Sequence, residues 1–193
     1  MEIRPLIAVL LIGFFYPLWL VTGLIDYLCH RRSDIAKTSG STESWLHVAQ
    51  FASLGLALSL AALLAITPLA FTLLAGLVVV HTILSFMDVS YTDGRRYISP
   101  LEQHAHGFMD VLPIVGVCLI GVLNWNELQA APWTLGWKQP PIPKLQCVAL
   151  IGSYFILAGV PIFEELLRTL TSKVESPPLF DNRPKAKEAR RSD

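Results

Sequence analysis

Long stretches without a charged residue dominate the pattern of hydrophobic and polar positions in this chain. The first runs from Leu6 to Ile25, and helix of that length covers about 30 Å, the thickness of the hydrocarbon core of a bilayer. The stretch is too long for a signal-peptide core, and no small-residue cleavage site follows it. We therefore predict a retained transmembrane helix with a kink at Pro17.

The longest uncharged stretch predicts two helices instead of one. Residues Val48 to Val80 carry neither a charge nor a histidine, and a single helix of that length would be much longer than a bilayer is thick. The Thr67-Pro68 step breaks it, because the residue before a proline avoids the helical conformation. With two further apolar stretches, the pattern predicts spans over Leu6–Ile25, 44–65, 68–88, Pro100–Leu123 and Leu145 to about Leu167.

The composition agrees with a membrane protein. Of the 193 residues, 53% are hydrophobic and 16% are charged, and the mean hydropathy is +0.51, whereas a soluble domain carries about 25% charged residues. This balance excludes a soluble enzyme, a disordered chain and a nucleic-acid-binding protein. The three cysteines lack the spacing of a disulfide framework or a zinc ribbon. We predict an all-α bundle of about five transmembrane helices over residues 1–172, four of them forming a metal-binding bundle, and a disordered tail over 173–193.

The positive charges predict the orientation of the bundle. Twelve of the fifteen Lys and Arg residues follow the first, third and fifth spans, whereas Arg4, Lys138 and Lys144 lie on the other side. Because Lys and Arg are enriched in cytoplasmic loops, we expect the N-terminus outside and the C-terminus in the cytoplasm.

All five histidines fall at the predicted cytoplasmic ends of the first four spans, and acidic residues accompany them. In three cases the acid and the histidine are four residues apart, which places both on one helix face with their Cβ atoms about 5–6 Å apart. The third span offers a histidine and an aspartate two turns apart, and the fourth adds a second aspartate. The candidate ligands are Asp26 and His30, Glu43 and His47, His81 and Asp88, and Glu102, His106 and Asp110.

Several of these residues lie inside the predicted hydrocarbon layer, where a charged group costs at least about 2.5 kcal/mol. They must neutralise one another, bind water or bind cations. Carboxylate and imidazole are the usual ligands of iron, zinc and manganese, and nine candidates exceed the needs of one ion. The hypothesis is a site for two divalent metal ions, with iron favoured and zinc or manganese as alternatives. The alternative is a buried ion-pair network or a proton pathway.

Other polar residues near this site have less definite predictions. His104 is two residues from both Glu102 and His106, so we expect it to face solvent or to support the site. At the end of the fifth span, Glu164 and Glu165 either pair locally with Arg168 or support the metal ligands from outside. Four arginines flank the site and either mark the topology or hold an anionic lipid head group: Arg31, Arg32, Arg95 and Arg96.

This layout resembles the membrane-bound di-metal oxygenases of the fatty-acid hydroxylase and desaturase group. The resemblance rests on the acid and histidine sets over residues 20–110, although that group uses adjacent His-His pairs and this chain has carboxylates instead. It implies a diiron site at the cytoplasmic ends of a transmembrane bundle, acting on a lipid or another apolar substrate. The segment from Asp26 to His47 is also similar to an uncharacterised family of bacterial integral membrane proteins, which implies the bacterial inner membrane.

Three functions follow as hypotheses. The first is a diiron oxidoreductase, such as a hydroxylase, desaturase or monooxygenase, supplied with electrons by a separate donor. The second is a metal-dependent hydrolase or phosphatase of a lipid head group, in which two metals activate a water and the arginines hold the phosphate. The third is a metal or proton carrier, which the apolar outer halves of the spans disfavour because they offer only scattered Ser and Thr.

Overall fold

The computed structural model describes residues 3–172 and Leu179, and the chain there is helical, with one isolated β-bridge and no strand. Five of its helices are long and apolar enough to cross a membrane, which confirms the predicted all-α class and the number of spans. A short helix precedes the last of them. The helices are α1 Ile3–Ser33, α2 Ser41–Leu63, α3 Pro68–Thr92, α4 Pro100–Leu123, α5 Trp125–Ala130 and α6 Lys144–Leu170. Apart from Leu179, the tail predicted over 173–193 lies outside the described residues.

Local sequence signals fix where the helices begin. Thr67 caps α3 by accepting a hydrogen bond from the Ala70 backbone N–H at 3.2 Å, so the predicted break before Pro68 is confirmed. At α4, the Ser99 hydroxyl accepts from the Glu102 N–H at 3.2 Å, and the Glu102 carboxylate accepts from the Ser99 N–H at 3.4 Å. This reciprocal pair is a capping box, and it fixes the position of the Glu102 side chain at the start of α4.

Two of the long helices contain a widened π-helical turn just before a proline. In α1 the turn covers Leu11–Phe15 and precedes Pro17, and in α6 it covers Phe155–Gly159 and precedes Pro161. A proline has no N–H, and its ring crowds the carbonyl four residues earlier, so a wider turn relieves both problems without ending the helix. Both helices therefore continue across the bundle.

The five long helices form a closed ring. Along this ring α1 packs on α4, α4 on α3, α3 on α2 and α2 on α6, and α6 returns to contact α1. At one end, the segment before α6 lies against the turn between α2 and α3, where the Ala65 N–H donates to the Gly136 carbonyl at 2.9 Å. The other end carries the histidines, and we call it the histidine end.

The distribution of polar and apolar side chains is inverted relative to a water-soluble protein. On α3, Phe86 is 73% exposed, whereas His81, five residues earlier and on another face of the helix, is 2% exposed. The same holds around the ring, where large apolar side chains face outward while acids and imidazoles face inward. Such an apolar outer surface suits hydrocarbon, which is compatible with a multi-pass membrane protein.

Candidate functional site

Acidic and imidazole side chains from all five long helices meet inside the histidine end. Eight of the nine candidate ligands predicted from the first four helices are present there, and α6 adds Glu165. The ninth, Asp110, lies at the edge of this group, with its side chain 33% exposed. We use the name polar cluster for this set: Asp26, His30, Glu43, His47, His81, Asp88, Arg96, Glu102, His106 and Glu165.

Glu165 lies between two stacked imidazoles at the centre of the cluster. Its Oε2 is 3.0 Å from His30 Nδ1, and its Oε1 is 2.6 Å from His47 Nδ1. The two rings stack with their centroids 4.7 Å apart and their planes within 10°. The Ser44 hydroxyl donates to Glu165 Oε1 at 3.3 Å and is itself within 3.1 Å of the Thr169 hydroxyl. One buried carboxylate therefore connects α1, α2 and α6.

The far nitrogen of each imidazole faces further carboxylates. His30 Nε2 lies 3.4 Å from Asp26 Oδ2 and 3.4 Å from Glu102 Oε1. His47 Nε2 lies 3.0 Å from Asp88 Oδ2, which also accepts from the Gln50 amide at 3.5 Å. Three sets have ligand atoms within 4.8 Å of one another and could hold a metal ion: His30, His47 and Glu165; Asp26, His30 and Glu102; and Glu43, His47 and Asp88.

Arg96 is the cation of the polar cluster. Its Nη2 lies 2.6 Å from Glu43 Oε1, and its Nη1 lies 2.6 Å from Glu102 Oε1, with the side chain only 4% exposed. Burial alone would lower the pKa of Arg96, but the hydrogen bonds and negative charges of Glu43 and Glu102 hold it above its ordinary value. The Glu43 carboxylate also accepts from the Ser39 hydroxyl. Arg96 thus closes the histidine end from the loop between α3 and α4.

Two further histidines, His81 and His106, lie beside the central pair, towards α3 and α4. His106 Nδ1 is 3.7 Å from Asp26 Oδ1, and its Nε2 is 3.1 Å from the Ser85 hydroxyl. His81 Nε2 is 3.6 Å from Asp110 Oδ1, too far for a hydrogen bond. His104 is exposed, with its ring edge against Phe108, so it lies apart from the cluster.

The other arginines predicted near a head group lie on the outside of the bundle. Arg31 donates to Glu164 Oε1 at 2.5 Å, and Arg32 is exposed. Arg95 donates to the Tyr91 carbonyl, and its guanidinium carbon lies 4.0 Å from the centroid of the Tyr91 ring. Of the four, Arg96 alone enters the polar cluster, and there it contacts carboxylates of the chain itself.

Unpartnered polar atoms mark the places where the cluster is electrostatically incomplete. Asp26 Oδ1, Asp88 Oδ1 and both ring nitrogens of His81 are buried without a hydrogen-bond partner within the described part of the chain. A cavity of about 70 Å³ lies beside Asp26 and His81, and four histidines, Asp26 and Glu165 contribute to its lining. An unpartnered carboxylate oxygen and two unpartnered imidazole nitrogens at one cavity are donors that a transition-metal ion takes, so the residues fit metal binding.

The charge balance of the cluster points the same way. In the described part of the chain, five carboxylates are at most 4% exposed, whereas one buried guanidinium, that of Arg96, opposes them. With neutral imidazoles, four negative charges are left in an interior surrounded by hydrocarbon, where uncompensated charge is very costly. Two divalent cations would cancel them, and so would four protonated histidines. The five carboxylates are those of Asp26, Glu43, Asp88, Glu102 and Glu165.

Glu165 is the central residue for which the sequence left two roles open, a local pair with Arg168 or support of the metal ligands. Consecutive helix positions differ by about 100°, so Glu164 and Glu165 point in different directions. Glu164 shares a face with Arg168 and takes a hydrogen bond from the Tyr27 hydroxyl at 2.8 Å, whereas Glu165 shares a face with the cavity-lining Ile162. An acid in the middle of an otherwise apolar inward face was the signal that could have identified it.

An apolar chamber of about 280 Å³ lies in the bundle interior, away from the histidine end. Trp19 and Leu54 line both this chamber and the polar cavity, so one wall separates the two spaces. The Tyr154 ring stacks on Trp19 and on Phe51, with ring centroids 5.3 and 4.8 Å apart. Tyr154 therefore packs against that wall from the side of α6. The bundle therefore places an apolar space directly beside a polar one.

The chain has no match among the protein-family models, the curated proteins or the solved structures with which it was compared.

Proposed function

We propose that the protein binds two divalent metal ions in the polar cluster and acts as a diiron oxidoreductase on an apolar substrate. The observation that carries the proposal is that residues 3–172 hold five buried carboxylates and one buried guanidinium in a group next to an apolar chamber. The four uncompensated negative charges of the cluster support two divalent ions, and the chamber supports a hydrocarbon substrate.

The ligand sets divide naturally between the two ions. Asp26, His30 and Glu102 would hold one, and His47 with Asp88, assisted by Glu43, would hold the other. Glu165 contacts the Nδ1 atom of each imidazole, opposite the Nε2 atoms that face the other carboxylates, so it would orient both rings for metal binding. Iron held by mixed carboxylate and imidazole ligands supplies oxygen activation.

The surrounding residues position these ligands and keep water out. Ser44 and the capping interaction of Ser99 fix the rotamers of Glu165 and Glu102. Arg96 covers the entrance from the loop side, and the shared wall of Trp19 and Leu54 presents an apolar substrate to the cluster. The head-group hydrolase alternative has less support, because Arg96 is already occupied by carboxylates of the chain.

A proton-carrying network is the second candidate, and the geometry of His47 favours it. Both ring nitrogens of His47 face carboxylate oxygens, at 2.6 and 3.0 Å, and in a metal-free chain that arrangement places a proton on each nitrogen. Such an imidazolium would neutralise part of the buried charge without any metal.

Metal analysis of the purified protein separates the two candidates. After iron-replete growth we expect about two ions per chain, with a Mössbauer signature of coupled irons. Glu165→Gln should remove most of the metal, whereas Glu164→Gln, the adjacent carboxylate outside the cluster, should leave it unchanged. A wild-type chain that folds and carries no transition metal would refute the proposal and favour the proton network. A chain that takes up only zinc would retain the metal site but refute the redox chemistry.

A further inference from the structure

A lysine lies at the end of the apolar chamber farthest from the polar cluster. Lys138 lines the chamber together with Asn124 and Ala61, and its Nζ donates to the Ala61 carbonyl at 2.6 Å. This contact occurs in the last turn of α2, where a lysine also interacts favourably with the helix dipole. The remaining ammonium protons have room for a second acceptor.

Lys138 lacks a counter-ion among the described residues. The side chain is half-buried, and no carboxylate of residues 3–172 lies within ion-pair distance of its Nζ. Burial lowers the pKa of Lys138 below its ordinary value, which shows that the environment disfavours an uncompensated charge. An anionic group bound here would supply the missing partner.

The shape of the chamber suits one hydrocarbon chain. Its volume of about 280 Å³ is at the lower limit of small-molecule sites, and its lining is almost entirely apolar. Ala61 and His47 are fourteen residues apart on α2, so the lysine lies about 21 Å from the polar cluster along the helix axis. Ile12 lines the chamber and is 59% exposed, so the chamber also reaches the lipid-facing surface beside α1.

We propose that the chamber binds a single-chain amphiphile, with its carboxylate at Lys138 and the end of its hydrocarbon chain against Trp19. The polar head then lies at the end of the bundle opposite the histidines, and the methyl end faces the polar cluster. Binding in this orientation is independent of any metal. That the amphiphile is also the substrate rests on the proposed function.

Equilibrium binding of radiolabelled hexadecanoate tests the role of the lysine. The protein is placed in nanodiscs of zwitterionic phospholipid, with empty nanodiscs subtracted. Lys138→Met should weaken binding about tenfold or more, because it removes a charge-assisted hydrogen bond, and Lys138→Arg should restore most of it. Hexadecanol, which has no carboxylate, should bind the wild type and Lys138→Met equally. Lys144→Met changes an exposed lysine and should bind hexadecanoate as the wild type does. Equal hexadecanoate affinity in Lys138→Met and wild type would show that Lys138 only caps the end of α2, and it would overturn the proposal.

A second pair of variants tests the chamber itself. A Cβ at Gly116 would meet only Leu11 at 3.9 Å, so Gly116→Leu should fold while its side chain fills part of the chamber. At Gly76, which is exposed on α3, a Cβ meets nothing within 4 Å, and Gly76→Leu is the matched control. Hexadecanoate binding should fall in Gly116→Leu and persist in Gly76→Leu. Equal binding in both would place the ligand outside the chamber.

Fluorescence quenching tests the orientation. The other four tryptophans are more than half exposed, so replacing them with Phe leaves Trp19 as the single reporter. A fatty acid brominated near its methyl end should quench Trp19, and one brominated next to its carboxylate should not; the reverse order would overturn the proposed direction. Displacement of hexadecanoate by phosphatidylglycerol at equal concentration would instead assign the site to a bilayer lipid and refute a single-chain ligand. Each measurement is repeated after metal removal, so that failure of the metal proposal and failure of the binding proposal give different results.

Discussion

Replacing Arg96 with glutamine is the sharpest test of the charge balance described above. The guanidinium contacts Glu43 through Nε and Nη2, at 3.1 and 2.6 Å, and Glu102 through Nη1 at 2.6 Å. Its removal leaves two carboxylates without this cation, and both are at most 3% exposed. Breaking a buried ion pair from one side costs about 3–5 kcal/mol, because the remaining charge stays desolvated. We expect about 3 kcal/mol for Arg96→Gln, since His30 and Ser39 still contact the stranded carboxylates.

Reversible unfolding in mixed micelles with increasing SDS measures this free energy. Arg32→Gln is the control, because Arg32 is exposed on the same end of the bundle and should change stability by less than about 0.5 kcal/mol. Adding Glu102→Gln to Arg96→Gln should recover part of the loss, since it removes one stranded charge. A cost below about 1 kcal/mol for Arg96→Gln, with no recovery in the double variant, would show that the carboxylates are already neutral and would refute the charge balance.

Three further predictions concern packing, pH and metal. Gly55→Ala brings a Cβ within 2.9 Å of the Tyr154 ring, so thermal unfolding should show a loss of about 1–3 kcal/mol in the free energy of unfolding. Gly76→Ala, where a Cβ meets nothing within 4 Å, should lose far less. Equal losses in the two variants would contradict the packing described here. Because burial lowers the pKa of Lys138, the unfolded chain holds this proton more tightly than the folded one. Unfolding free energy should therefore rise as pH increases from the lowered pKa towards 10.5, and Lys138→Met should abolish this rise. Stripping metal with a chelator should lower the unfolding temperature, and iron should restore it; an unchanged temperature would argue against bound ions.

The spans could be predicted because each depends on local sequence. A run of uncharged residues and the Thr67-Pro68 step act within a short stretch of chain, and the structure has both features. The predicted span Leu6–Ile25 was shorter than α1, which continues through Asp26 and His30 to Ser33, whereas the bounds predicted for α4 match those observed. Polar residues that end a span by hydropathy do not end a helix when they face a polar interior.

The partners inside the cluster could not be predicted, because helix periodicity gives the face of a residue and not the neighbour that it meets. Asp26 and His30 share a face of α1, as their spacing predicted, and they do contact each other. Nothing in the local sequence indicates that Glu165 lies against His47, 118 residues away, or that Arg96 folds back on Glu43. These contacts depend on the order of helices around the ring, which long-range packing decides.

The position of Glu165 on the last long helix has a consequence for how the protein is made. While the ribosome synthesises the chain, α1 to α4 emerge first and carry their acids and imidazoles into the bilayer before α6 exists. The carboxylate that connects His30 and His47 arrives only when α6 is inserted. Until then the interior is open on the side of α6, and unpaired side chains there are accessible to water, to membrane chaperones and to quality-control proteases. The centre can therefore be completed only after α6 is inserted, and a nascent chain stalled before α6 should be a preferred substrate for degradation.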